Sequence, residues 1–196
     1  MTIPAPDIVE FLLGDSIDVA PGLLGMELVS VAGGVTTGGI IVETEAYHGQ
    51  DDPASHAYRG KTIRTSPMFE AGGTLYVYLS MGIHNCLNIV TGPEGVGQAV
   101  LIRALQPTLG IEKMIERRGT DKLTNLASGP GKLTQALSVA RDISGTKLGQ
   151  TLSLRIPNGP KPLVATSPRI GISKAVDFPW RFYLPNSPFV SRAKPK

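Results

Sequence analysis

Apolar and polar side chains alternate with a period of two through much of the first half of the chain, the signature of half-buried strands. In IIVETEAY, Ile40 to Tyr47, the alternation puts Glu43, Glu45 and Tyr47 on one face and Val42, Thr44 and Ala46 on the other. TLYVYL divides in the same way, with Thr74, Tyr76 and Tyr78 opposite Leu75, Val77 and Leu79. NCLNIV and QAVLIRAL predict two more strands, joined by the turn-like TGPEGVG. Ahead of them, PDIVEFLLGDS predicts a short helix, VAPGLLGMELVSV runs into a strand, and Gly33-Gly34 suits a hairpin turn. Ile111 to Arg118 predicts a helix, with Arg117 and Arg118 favourable at its C-terminal end and Gly119 as its stop. KLTQALSVA predicts another, entered through SGPG, after which short strands alternate with proline breaks up to the basic tail SRAKPK. Strands that follow strands, with helices interspersed, predict one α+β domain over residues 1–196 around a mainly antiparallel sheet.

His48 to Pro67 is polar, turn-rich and carries Arg59, Lys61 and Arg64. A connection of that length is either a functional loop or a disordered one.

Composition narrows the class. A chain of 196 residues, 41% hydrophobic and 18% charged, can bury a core, which excludes wholesale disorder. Its Gly 23 and Pro 16 favour turns and short elements over a helical bundle. A net charge of +3 permits a polyanionic partner without requiring one. The lone cysteine, Cys86, excludes an internal disulfide and a four-cysteine metal cluster, and within CLNIV it reads as a buried packing thiol. No run approaches membrane-spanning length, and the N-terminus lacks a charged segment followed by an apolar one. A soluble, cytoplasmic protein with no membrane contact is the expectation.

The candidate chemistry gathers around Glu45. A lone glutamate on a strand is most often a surface residue, since Glu is almost never buried unpaired. Tyr47, two positions on, shifts that balance, because a carboxylate against an aromatic wall can serve as a general base. Glu43 and Glu45 do not suit the acid–base pair of sugar hydrolysis, since same-face neighbours on one strand cannot bracket a bond from opposite sides. If Tyr47 and Tyr78 converge, two stacking faces of roughly 1–3 kcal/mol each offset the few kcal/mol needed to extrude a nucleobase. Glu45, His48, Asp51, Asp52 and His56 offer metal-type side chains, but their spacing matches no common ligand pattern, so no metal is expected. SGPGKLT is not a Walker motif, because Gly-Lys is followed by Leu; a backbone nest at a helix start, with Lys132 near a phosphate, is the remaining reading.

Taken in order, IVETEAY, DDPASHAYRG, GTLYVYLSMG, CLNI, VLIRAL, LASGPGKLTQAL, RIGI and WRFYLPNSPFVS resemble the alkyladenine (3-methyladenine, methylpurine) DNA glycosylase family over almost the whole chain. The resemblance implies a curved, mainly antiparallel sheet with surrounding helices. It implies a monofunctional hydrolase that flips alkylated or deaminated purines from double-stranded DNA and leaves an abasic site in base excision repair. Glu45 would activate the attacking water and Arg103 would help hold both. Tyr47 and Tyr78 would stack on the flipped base, His56 would contact its edge, and Asn88 would reject the 2-amino group of guanine. Met81 stands where the better-known vertebrate pattern has a wedging tyrosine, and apolar side chains of its size do insert between base steps. Arg59, Lys61, Arg64 and Lys132 are candidate contacts to the DNA backbone. No cofactor is implied, a monomer is expected, and the chain's start close to its first helix implies no long N-terminal extension. A non-catalytic nucleic-acid-binding module, like the domain appended to formyltransferases, is the alternative.

Overall fold

Gly33 and Gly34 both take positive φ, 58° and 77°, as a two-residue turn matched to strand twist requires. They join β1 (Glu27–Ala32) to β2 (Val35–His48). The computed structural model describes residues 6–156 and 160–191, so the basic tail beyond Ser191 lies outside the described residues. β3 (Leu75–Ser80), β4 (His84–Thr91) and β5 (Gln98–Leu109) follow where alternation predicts them. β6 (Leu152–Arg155), β7 (Ala165–Ser167) and β8 (Arg181–Tyr183) are the short strands among the late prolines. They form one curled antiparallel sheet of order β3-β4-β5-β2-β1-β6, with β8 beside β2 and β7 beside β8. The α+β expectation is met.

α1 (Pro6–Leu12) and α3 (Ile111–Arg118) fall where the sequence places them, and Gly119 ends α3 in the left-handed conformation. α5 (Pro130–Leu137) starts two residues before the predicted KLTQALSVA, and Ser138 stops it early at φ 57°. α2 (Ser16–Gly22) and the single turn α4 (Leu123–Leu126) were not predicted. α2 hides because Pro21 and Gly22 mimic a turn, while Asp15 caps it by accepting from the Ile17 N–H at 2.8 Å.

The period of two then sorts the strand residues. Leu75, Val77, Leu87, Ile89, Val100, Ile102 and Ala46 enter the main core with Ala20, Leu133 and Leu137 from the helices. The opposite face carries a row that crosses four strands in register, Tyr76 against Asn88, Asn88 against Leu101, and Leu101 against Glu45. Tyr78 and Cys86 are paired one step along the same face.

One expectation about β2 is corrected. Val42 does not join Thr44 and Ala46 on the core face; it packs with Ala104 and Phe189 in a separate cluster. The cause is a double irregularity in the β2–β5 ladder. Ile41 pairs Leu105, Glu43 pairs Ala104 and Thr44 pairs Ile102, so Val42 and Arg103 are each passed over. The ladder thereby loses its even spacing beside Glu43, Glu45 and Arg103.

The segment His48 to Pro67 is ordered rather than loose. Helical turns at Gly49–Asp51 and Ser66–Phe69 bracket it, and Ala57, Met68 and Phe69 pack on Tyr76, Val90 and Ala99. Buried Asp52 accepts from the backbone N–H groups of His48 at 3.3 Å and Ala54 at 3.0 Å. Among the described residues, no helix is long and apolar enough to cross a membrane.

Candidate active site

Glu45 is fully buried, and its carboxylate accepts three hydrogen bonds from the described residues. Arg103 Nη1 donates to its Oε2 at 3.2 Å, the Tyr47 hydroxyl donates to the same oxygen at 3.0 Å, and the Ile170 N–H donates to Oε1 at 2.7 Å. Burial pushes the Glu45 pKa up, and Arg103, the Ile170 N–H and the Tyr47 hydroxyl pull it back only in part. The resulting carboxylate is desolvated, fixed and more basic than an exposed one.

Glu43, on the same strand, is equally buried but fully engaged. It accepts from Arg103 Nε at 3.0 Å, Arg181 Nε at 2.8 Å, and the Ser191 N–H and hydroxyl at 2.7 and 2.9 Å. Its role is to seat Arg103, whose other nitrogen reaches Glu45. Burial pulls the Arg103 pKa down, but Glu45 and Glu43 outweigh it and hold the guanidinium firmly charged.

Glu45 stands beside a cavity of about 740 Å³ whose wall includes Tyr47, Tyr78, His56, Asn88 and Arg103. A volume of that order suits a small organic ligand. Tyr78 lies edge-on to the His56 ring, with centroids 4.5 Å apart, and stacks on Tyr76 at 5.6 Å. Burial raises the pKa of Tyr47, with Glu45 adding to the rise, and burial likewise raises that of Tyr78. Both phenols stay neutral. Partial burial, with the Arg64 charge nearby, lowers the His56 pKa and favours a neutral ring whose Nδ1 lies 3.0 Å from the Tyr76 hydroxyl. Asn88 is buried and donates from Nδ2 to the Tyr76 carbonyl at 3.1 Å. Cys86 is buried as expected, yet it also lines the cavity beside Tyr78.

Met81 forms part of the rim and is 94% exposed. It takes φ 51° and is followed by Gly82 at φ 71° in the turn between β3 and β4. Such a position favours Gly or Asn, and a large apolar side chain there breaks the local rule with no packing gain.

Of the basic candidates, Arg64 lines the cavity, with its guanidinium 5.7 Å from the Tyr78 ring centre. Arg59 and Lys61 are exposed on the adjoining loop. Lys132 is engaged by Asn125 Oδ1, and it is Pro130 of the SGPG turn that reaches the cavity wall. Sequence reasoning gave no such role to five residues: Tyr76, Ile170, the buried pair Asp52 and Arg169, and Lys174 on the rim. The alternation of TLYVYL put Tyr76 on the face of Tyr78, and the resembling segments DDPASHAYRG and RIGI hold Asp52, Arg169 and Ile170, but no local pattern joins them. Among the described residues, no three His, Cys, Asp or Glu side chains gather as a metal site.

A buried carboxylate whose three donors, Tyr47, Arg103 and Ile170, line an aromatic cavity suits an enzyme of the class that hydrolyses N-glycosyl bonds. The chain belongs to the methylpurine-DNA glycosylase (MPG) family, whose pattern its residues 10–188 match. It is 50% identical over 197 residues to a provisionally named 3-methyladenine DNA glycosylase of Methanoculleus marisnigri, an alignment covering 98% of this chain and 100% of that one. A protein of the same name from Agrobacterium fabrum is 52% identical over 184 residues, covering 93% of this chain and 90% of its own. Another, from Bacillus cytotoxicus, is 43% identical over 208 residues, covering 98% and 100%.

Proposed function

We propose that the cavity receives an alkylated or deaminated purine flipped out of double-stranded DNA, and that Glu45 activates the water that hydrolyses its N-glycosidic bond. The observation that carries this reading is a fully buried carboxylate, held by three donors, beside a tyrosine-walled cavity of about 740 Å³. The attacking water gives its proton to Glu45 as its oxygen bonds to the deoxyribose C1′. The C1′–N bond breaks, and its electron pair departs with the purine: a base methylated at N3 or N7 is already cationic and leaves neutral, whereas a neutral deaminated purine must also take up a proton from solvent as it leaves. A free base and an abasic site result, without strand cleavage.

The neighbours divide the remaining work. A raised Glu45 pKa brings the base closer to working pH, and Arg103 aims it. Tyr47 and Tyr78 stack on the purine at roughly 1–3 kcal/mol each. His56 meets the base edge, and Asn88 crowds the 2-amino group of guanine. Met81 fills the gap in the duplex, which gives a reason for its exposure in a strained turn. Arg59, Lys61, Arg64 and Lys132 lie along the DNA backbone, and a single domain acts as a monomer without cofactor.

Release of free purine from methylated and from inosine-containing duplexes, with and without EDTA, tests this reading. Glu45→Gln should bind lesion DNA as the parent does while excising about 10²- to 10⁴-fold more slowly. Excision at the parent rate would remove Glu45 as the base, and loss of activity with EDTA would point to a metal hydrolase.

A further inference from the structure

The Glu45 Oε1 contact comes from a segment that has little else to hold it. Among the described residues, Ile170 is the only residue from 169 to 174 whose backbone N–H finds a hydrogen-bond partner, and that partner is Glu45. Ile170, Gly171, Ile172, Ser173 and Lys174 nevertheless line the cavity. Their anchor is the residue just before, Arg169, which is 2% exposed. Its guanidinium forms a two-pronged pair with Asp52, Nη1 to Oδ2 at 2.5 Å and Nη2 to Oδ1 at 2.8 Å, and Nη1 also donates to the Ala46 carbonyl at 2.9 Å. The same plane lies 4.8 Å from the Tyr47 ring centre and 5.0 Å from that of Trp180. Arg169 Nε has no hydrogen-bond partner among the described residues, so one bond is forgone while fork and stack are kept.

We infer that Asp52 and Arg169 are a positioning pair for the reaction: the fork joins the loop of His56, the Glu45–Tyr47 end of β2 and the 169–174 segment, and so presses the Ile170 N–H onto Glu45. The inference rests on the reading of Glu45 as the base. Neither residue touches the substrate. Each acts through the Ile170 donor and the Tyr47 ring, both of which bear directly on the carboxylate or the cavity.

The consequence is specific to pH. The Ile170 N–H lowers the Glu45 pKa, so loosening it raises that pKa further. The groups facing Glu45 are Glu43 and Tyr47 on its own strand, Tyr78 of β3, Cys86 of β4, Arg103 of β5 and the Ile170 N–H; Arg169 faces Tyr47. None of the groups facing Glu45 is removed in Asp52→Asn or Arg169→Lys.

The experiment is single-turnover excision from a lesion duplex at saturating enzyme across pH, with DNA affinity and amide hydrogen exchange measured in parallel. Asp52→Asn should slow excision roughly 10- to 100-fold at about pH 6, a deficit that narrows by about pH 8.5, with affinity within about twofold of the parent. Exchange at Ile170 should quicken by at least about 10-fold while β1 and β6 stay protected. Arg169→Lys, which keeps the charge but loses the fork, should fall between the parent and Arg169→Met. If Arg169→Met does not fold, the other two variants carry the test. A deficit independent of pH, with Ile170 as protected as in the parent, would overturn the inference. Should the parent itself release no base, the proposed reaction fails, and Ile170 exchange alone decides whether the pair positions that donor.

Discussion

The Tyr47 hydroxyl donates to Glu45 Oε2 at 3.0 Å across two positions of the same strand. Residues at i and i+2 share a face of a strand at a separation of about 6.6 Å along it, so the phenol folds back over its neighbour instead of standing beside it. One side chain thus walls the cavity with its ring and holds the carboxylate with its oxygen.

Tyr47→Phe separates those two duties. The ring remains for stacking, but the bond that lowers the Glu45 pKa is gone, so that pKa rises further. Glu45 must be ionised to act as a base, and the acid limb of the excision profile therefore moves to higher pH. Single-turnover rates should fall more at about pH 6 than at about pH 8, with lesion affinity within about twofold of the parent. A profile with an unmoved acid limb would show that the hydroxyl does not tune Glu45.

Replacing Glu45 should also change stability, in a direction set by linkage. The folded pKa of Glu45 lies above its ordinary value of 4.5, so the protonated side chain favours the fold. That contribution is complete below 4.5 and is lost as pH rises through the folded value. Glu45→Gln puts a side chain there that cannot ionise, and Arg103 keeps Glu43 as its partner. The variant should thus melt above the parent at neutral and alkaline pH and converge with it in acid. A gap of a few degrees is expected, since about 1 kcal/mol moves Tm by roughly 2–4 °C at this chain length. Thermal melts at several pH values check this, and a gap that widens in acid would contradict it.

Much of this arrangement was legible in the chain. Alternation through ETEAY and TLYVYL marked the faces that carry Glu45, Tyr47 and Tyr78, because successive side chains of a regular strand point to opposite faces. What alternation could not reveal was the β2–β5 irregularity, which sends Val42 into a separate cluster beside Phe189. That departure is created by cross-strand pairing, and no window on one strand contains it. Asp52 and Arg169 escaped for a related reason. They sit 117 positions apart, and each alone reads as a polar loop residue; only the folded chain brings them together.

Asn88 offers a test of selectivity. Its amide is buried and tied to the Tyr76 carbonyl at 3.1 Å, at the centre of the row that crosses β3, β4, β5 and β2. Asn88→Ala should cost about 1 kcal/mol for the lost hydrogen bond and make room for an exocyclic amino group. Release of 7-methylguanine relative to hypoxanthine should increase, as measured by competition between the two lesions. An unchanged ratio would remove Asn88 as a residue that discriminates against guanine.

The exposed loop cations predict a simpler effect. Lys61 is exposed and stands outside the residues that line the cavity, so Lys61→Ala should weaken DNA binding at all sequences and reduce the slope of log affinity against log salt by about 1. Arg59→Ala should behave alike. Titrations at several salt concentrations distinguish this from a base contact, which would leave the slope unchanged.

Met81→Gly joins two opposed expectations in one variant. Met81 carries a conformational penalty at φ 51°, and its side chain is 94% exposed, so glycine there should hold or raise stability by up to about 1 kcal/mol. The same change removes a large apolar side chain that can enter a base stack from the cavity rim. A wedge matters only where a stack must be opened and then filled. Excision from duplex DNA should therefore drop, while excision from the same lesion in a single strand stays near the parent rate. Measuring both substrates alongside a melt separates the alternatives: equal losses on the two would place Met81 in base binding, and a lower Tm would mean that its side chain supports the fold.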